Sequence, residues 1–217
     1  MINLLLMFCR IAMFCGFVLL PAIAHAHPHV WVTVKAEVLY ARDGSITGMR
    51  ESWTFDDMYS AYSTQGLEAK TAGQFSRDEL ASVAKENMDA LKEADYYTFA
   101  TVSRKGLGFK DPADYYLEFD TKEAVLTLHF TLLFKTPIKT KEFQIEIYDP
   151  DFFIDFSLAE NRPASLVDAP ASCQLIVMRP EETSAQNDRL PESFFQSPGA
   201  ALNFGAQFAN KISVKCP

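Results

Sequence analysis

Three of the four histidines in this 217-residue chain fall within five residues, at His25, His27 and His29. Imidazole is a common donor to Zn, Ni and Cu, so the cluster reads first as metal-binding chemistry. What it can do depends on where the mature chain begins. Residues Met1 to Ala24 carry one charge, Arg10, followed by the apolar run Ile11 to Leu20 and then Pro21-Ala22-Ile23-Ala24. A charged start, a short apolar middle and a small-residue cut are the parts of a secretory leader. The apolar run is shorter than the roughly 20 residues that a membrane crossing takes.

Two cuts fit, and each leaves histidine first. Cleavage after Ala24 exposes His25-Ala26-His27, whose amine, two backbone nitrogens and second imidazole could enclose Cu(II) or Ni(II) in a square plane. Cleavage after Ala26 exposes His27-Pro28-His29. Proline has no amide proton to lose, so the planar wrap is blocked. The amine and two imidazoles then leave coordination positions open, which Zn(II) tolerates. The second cut is favoured, giving a leader over residues 1–26 and a single β-rich domain over 27–217. The plain alternative is a frayed terminus that happens to carry histidines.

Other donors are scattered. His129 shares a strand face with Val125, Thr127, Thr131 and Leu133, where it is either a ligand or a hydrogen-bonded strand residue. Asp56-Asp57 closes the block Trp53-Thr54-Phe55-Asp56-Asp57, and Asp149, Asp151 and Asp155 surround Pro150. Aspartates at such places are commonly turn formers, but Asp56 or Asp149 could complete a site with His27, His29 and His129. A calcium loop starting at Asp149 is rejected. Its sixth position needs Gly and holds Ile154, inside a segment, Phe152 to Phe156, that reads as a strand. There is no phosphate loop, no dinucleotide fingerprint and no Gly-x-Ser-x-Gly or His-Glu-x-x-His motif, so no enzyme is expected.

These residues need a scaffold, and the pattern predicts a β-rich α+β fold with a mainly antiparallel sheet. Val30 to Tyr40 alternates apolar and polar, the Asp43-Gly44-Ser45 turn follows, and Ile46 to Phe55 reads as the return strand. Ser76 and Glu79 form a capping box for one main amphipathic helix over 76–93, with Leu80, Val83, Ala84, Met88 and Leu91 on its apolar face. Strands are expected over 96–104, 115–120, 123–134, 143–148, 152–156, 173–178 and 212–216. A polar loop covers 180–199, and a short C-terminal helix begins at Ser197-Pro198. Cys173 and Cys216, the two cysteines beyond the leader, are expected to form a disulfide stapling the closing strands. The net charge is −8, or −9 without Arg10, which argues against nucleic acid as a partner.

The start His27-Pro28-His29-Val30-Trp31, the block Trp53 to Ser60, the Tyr148-Asp149-Pro150 turn and Phe204-Gly205-Ala206-Gln207-Phe208 before Cys216 resemble a family of uncharacterised bacterial periplasmic proteins. That family is labelled as the periplasmic component of an ABC-type transport system and is associated with nickel/cobalt and zinc permeases. The resemblance implies a periplasmic accessory protein that binds Zn, Ni or Co, with Cu also allowed by the chemistry, and passes it to an inner-membrane permease. Two rivals stand beside it. One is a metal-free structural subunit of the permease. The other is a copper oxidoreductase with a histidine brace at His27.

Overall fold

The computed structural model describes residues 28–180 and 204–217. The expected leader, His25, His27, the polar loop beyond Pro180 and the start of the expected C-terminal helix lie outside the described residues.

The chain forms a β-rich α+β fold of two sheets that share one core. Strand β1 (Val30–Tyr40) alternates as the sequence reading expects: Val32, Val34, Ala36, Val38 and Tyr40 are buried, while Trp31, Thr33 and Lys35 face out. It pairs antiparallel with β2 (Ile46–Phe55) across a turn in which Asp43 accepts from both the backbone N–H and the hydroxyl of Ser45. The far edge of β2 takes β6 (Val125–Ile138), which in turn takes β5 (Tyr115–Asp120). The other edge of β1 is covered by two successive strands, β8 (Ile154–Leu158) and β9 (Ala164–Val167), both parallel to it.

The second sheet runs β10-β11-β7-β3-β4. These strands are Gln174–Met178, Asn210–Lys215, Glu142–Ile147, Thr98–Val102 and Lys105–Gly106. Its pairings are all antiparallel. Ala100, Phe143, Ile145, Ile147, Ile212 and Val214 point from it into the same core as Val34, Trp53, Leu128 and Phe130 of the larger sheet. Cys173 and Cys216 are bonded, joining the outer ends of the paired strands β10 and β11.

Two helices complete the core. The main helix, α2 (Ala81–Glu93), buries Ala84, Met88 and Leu91 and packs against β5. Its start differs by one turn from the reading at Ser76. The Ser76–Glu79 box does form: Ser76 N–H and Oγ both bond Glu79 Oε2, at 2.8 and 2.5 Å. It caps the turn that leads into the helix, and the helix proper begins five residues on. Helix α1 (Asp57–Thr64) is not foreseen by the sequence reading. Only Ser60 of its eight residues is buried, and Met58 and Tyr62 are exposed. It therefore lacks the apolar stripe by which helices are recognised, and it is defined instead by its cap and by Ser60. The Ser60 hydroxyl donates to the Asp56 carbonyl and accepts the Leu126 N–H at the start of β6. The described part of the C-terminal helix, Phe204–Phe208, is a 3-10 turn.

Candidate functional site

The head of β1 gathers most of the predicted donors. His29 donates its backbone N–H to the Phe153 carbonyl at 2.8 Å, and its ring stacks on that of Phe153 at 5.3 Å between centroids. Two residues on, the Trp31 N–H donates to Asp56 Oδ2 at 2.8 Å, and the Asp56 N–H returns to the Trp31 carbonyl. Asp56 Oδ1 accepts from Tyr59 N–H. Asp56 is thus the N-cap of α1 and the clasp between that helix and the first strand, the role that aspartate fills best.

Asp149 belongs to the same end of the molecule. Its carboxylate takes three backbone donors, from Asp151 on Oδ1 and from Phe153 and Ile154 on Oδ2, at 2.9–3.0 Å. It fixes the loop that presents Phe153 to His29. Burial pushes its carboxyl up, against the pull of those three N–H groups. Both oxygens are committed to the loop, so Asp149 acts on His29 through the backbone. Asp155 is the β8 partner of Trp31 and lies beside it on the outer face, where burial also raises its carboxyl. The sequence reading placed Asp155 in the acidic group around Pro150, favoured there as turn-forming, and did not carry it into the candidate ligand set. The parallel pairing of β8 with β1, which no local pattern announces, is what brings it to the head of β1.

His129 stands elsewhere. It pairs with Ser52, and Ser52 with Lys35, on the outer face of the large sheet. His29 lies six positions before Lys35 on the same strand, so at about 3.3 Å per residue the two histidines are some 20 Å apart along β1 alone. One ion cannot be shared between them. Among the described residues, no group of three or more His, Cys, Asp or Glu side chains is placed to hold a metal ion.

The surroundings of His129 are nonetheless ordered. Nδ1 lies 2.9 Å from Ser52 Oγ and Nε2 lies 3.4 Å from Glu118 Oε2. The ring stacks on Tyr116, over which the Arg77 guanidinium also sits. Burial holds the imidazole below its usual range, partly offset by Glu118. The groove beside it, about 490 Å³, is lined by Thr33, Lys35, Thr54 and Thr127 among others. Serine, histidine and a carboxylate in sequence invite an acyl-transfer reading. However, β2 is paired on both edges at Ser52, so its amides there are engaged in the ladder. The Ser52 amide is therefore not available to face an oxyanion, a form of stabilisation that usually supplies a large share of such catalysis.

Glu51 is the ionisable residue that the sequence reading overlooked. It is fully buried between the sheets, accepting from Trp53 Nε1 on Oε2 at 2.6 Å and contacting the Thr98 hydroxyl through Oε1 at 3.0 Å. Burial raises its carboxyl to about 7. The signal was present in the alternation of β2: Met49, Trp53 and Phe55 point inward, and Glu51 shares their phase.

No curated protein matches the chain. A family model matches residues 12–216, nearly the whole sequence, and the chain accordingly belongs to the family described as "Protein of unknown function (DUF1007)".

Proposed function

We propose that the protein is a periplasmic transition-metal-binding accessory component of a nickel, cobalt or zinc transport system. It would take a divalent ion as cargo through the His27-Pro28-His29 end and deliver it to a membrane permease. The observation that supports this reading most is the anchorage of His29 on the head of β1, by a backbone bond and a ring stack to Phe153. A terminal chelate on a rigid strand loses less entropy on binding than one on a free tail. His27 and His29 supply imidazoles, and the α-amine of His27 adds a third donor if cleavage follows Ala26. Asp155 and Asp56 stand nearby as oxygen donors; using Asp56 would require it to give up the Trp31 N–H. A set this open suits transfer better than permanent storage.

The test is native mass spectrometry of protein recovered after export, with Zn, Ni, Co and Cu in competition, alongside the double variant His27→Ala/His29→Ala. A mature chain beginning at His27 with one retained Zn, Ni or Co, lost in the variant, is the expected result. Equal metal content in the two proteins overturns the reading.

A second reading, a metal-free structural subunit of the permease, is favoured by the apolar surroundings of His29. Trp31 and Phe153 are 45% and 48% exposed, and Met58, in the first turn of α1, is 63% exposed. Exposed aromatic side chains grouped at one end are the usual material of a binding surface. Permease capture and normal transport by a variant lacking all three N-terminal histidines would support this second reading over the first.

A further inference from the structure

The hydrogen bonds around Glu51 depend on its protonation state, as a count of protons shows. The Thr98 hydroxyl lies 3.0 Å from Glu51 Oε1 and 2.9 Å from the Tyr96 carbonyl oxygen. A hydroxyl has one proton to give, a carbonyl has none, and an ionised carboxylate has none. With Glu51 ionised, Thr98 can serve only one of its two neighbours and faces the other oxygen-to-oxygen. With Glu51 neutral the chain is complete: Trp53 N–H donates to Oε2, the acid O–H donates to Thr98, and Thr98 donates to the Tyr96 carbonyl.

The far end of this relay is a backbone segment that needs holding. Asp95, Tyr96 and Tyr97 all adopt left-handed conformations, with φ of 49°, 56° and 48°. For residues with a side chain, and for tyrosine above all, that region is disfavoured. The turn is kept by burial of Tyr96, by Tyr97 against Phe156, and by the Thr98 bond to the Tyr96 carbonyl. Glu51 stands on the large sheet and Thr98 on the small one, so the relay also crosses the core.

We propose that Glu51 is a proton-operated latch: as a neutral acid it directs Thr98 onto the Tyr96 carbonyl and holds the left-handed turn at 95–97, and on deprotonation it draws the Thr98 proton to itself and releases that turn. Its neighbours leave the proton as the controlling variable. The residues paired with Glu51 on β1 and β6 are Ala36 and Phe130. The groups acting on its carboxyl are Trp53 and Thr98, neither of them charged. The ionisable residues of the turn answer to others: Tyr96 to Asp111, Lys92 and Asp95, and Tyr97 to Asp149 and Asp151.

The test is amide hydrogen exchange of Tyr97 and Thr98, corrected for the intrinsic pH dependence of exchange, at pH 5.5 and 8.5 in wild type and Glu51→Gln. Their N–H groups bond the Ala94 and Asp95 carbonyls, so they report closure of the turn. Wild type should lose about fivefold in protection at the higher pH, the worth of one hydrogen bond. Glu51→Gln, whose amide donates at every pH, should stay protected at both. Should that variant not fold, Thr98→Val must show low protection independent of pH, and Thr98→Ser must restore the wild-type response. The infrared spectrum of wild type at pH 6 must in addition hold a protonated-carboxyl band that titrates with the loss of protection. Protection that does not change between pH 5.5 and 8.5 in wild type, or that changes equally in Glu51→Gln or Thr98→Val, overturns the proposal.

Discussion

Gly205 is the position where one added methyl group should do the most damage. An ideal Cβ there would lie 1.6 Å from the Asp149 carbonyl oxygen and 2.7 Å from the Asp149 carbonyl carbon. A carbon-to-oxygen contact is comfortable at about 3.3 Å, so alanine is short of space by about 1.7 Å. Asp149 cannot yield, because its carboxylate binds three amides of its own loop. The 3-10 turn at 204–208 must therefore lift. It then loses the Gly205 N–H bond to the Pro150 carbonyl, worth about 1 kcal/mol. It also loses the stack of Phe208 on Phe152, at 4.2 Å between two buried rings. Each ring is worth about 1.5–3 kcal/mol when fully buried, and partial exposure of both brings the total to about 3–4 kcal/mol. Urea denaturation measures it: the midpoint of Gly205→Ala should fall with little change in slope. Gln207→Ala, on the exposed side of the same turn, should be close to neutral. A Gly205→Ala protein within 1 kcal/mol (~) of wild type would refute the close-approach reasoning. The Asp149 loop also presents the Phe153 carbonyl to His29, so on the proposed metal-binding reading the variant should lose metal affinity along with stability.

Three further outcomes follow from the same contacts. Folding raises the Glu51 carboxyl from 4.5 to about 7, so the folded state holds this proton more tightly. Its contribution is complete below about pH 4.5 and is lost as pH rises to about 7, roughly 3 kcal/mol in all; Glu51→Gln should flatten that part of the stability–pH curve measured by denaturant titration, and an unchanged slope would sink the assignment. Ser60→Ala removes the acceptor of the buried Leu126 N–H and should cost about 1–3 kcal/mol in thermal or chemical unfolding, whereas a cost near zero would mean that α1 is held by other contacts. Reduction of the Cys173–Cys216 bond, which closes a span of 43 positions, should lower stability by about 3–4 kcal/mol. On the proposed metal-binding reading, metal retention should survive reduction under calorimetry or mass spectrometry, because Cys216 touches Tyr40 at the far end of β1 from His29.

Much of the sheet was legible because its strands alternate cleanly. The Val30–Tyr40 and Ile46–Phe55 boundaries coincide with the reading, as does β5 at Tyr115–Asp120. The disulfide followed from parity. The strand expected over 96–104 is shorter at both ends, Thr98–Val102, because left-handed residues flank it at 95–97 and at 103–104 and leave no mark in hydrophobic periodicity. Helix α1 was missed for want of an apolar stripe. At the head of β1, His29 and Asp56 are close in space because β1 and β2 are neighbours in sequence and pair, which local reading can reach. Asp155 arrives through a parallel pairing across more than a hundred residues, and pairings of that kind are written in no local signal.

That parallel pairing also bears on how the chain is made. The β1–β2 hairpin can close as soon as Phe55 exists, but the opposite edge of β1 waits for Ile154, 114 positions beyond Tyr40. Until then Val30, Val32, Val34 and their neighbours present an unpaired, valine-rich edge, the kind that recruits other chains. The delay adds little to the free-energy cost of closure, which grows only with the logarithm of loop length, and bears mainly on the rate. A nascent or truncated chain ending before Ile154 should keep the hairpin and self-associate strand to strand along that edge.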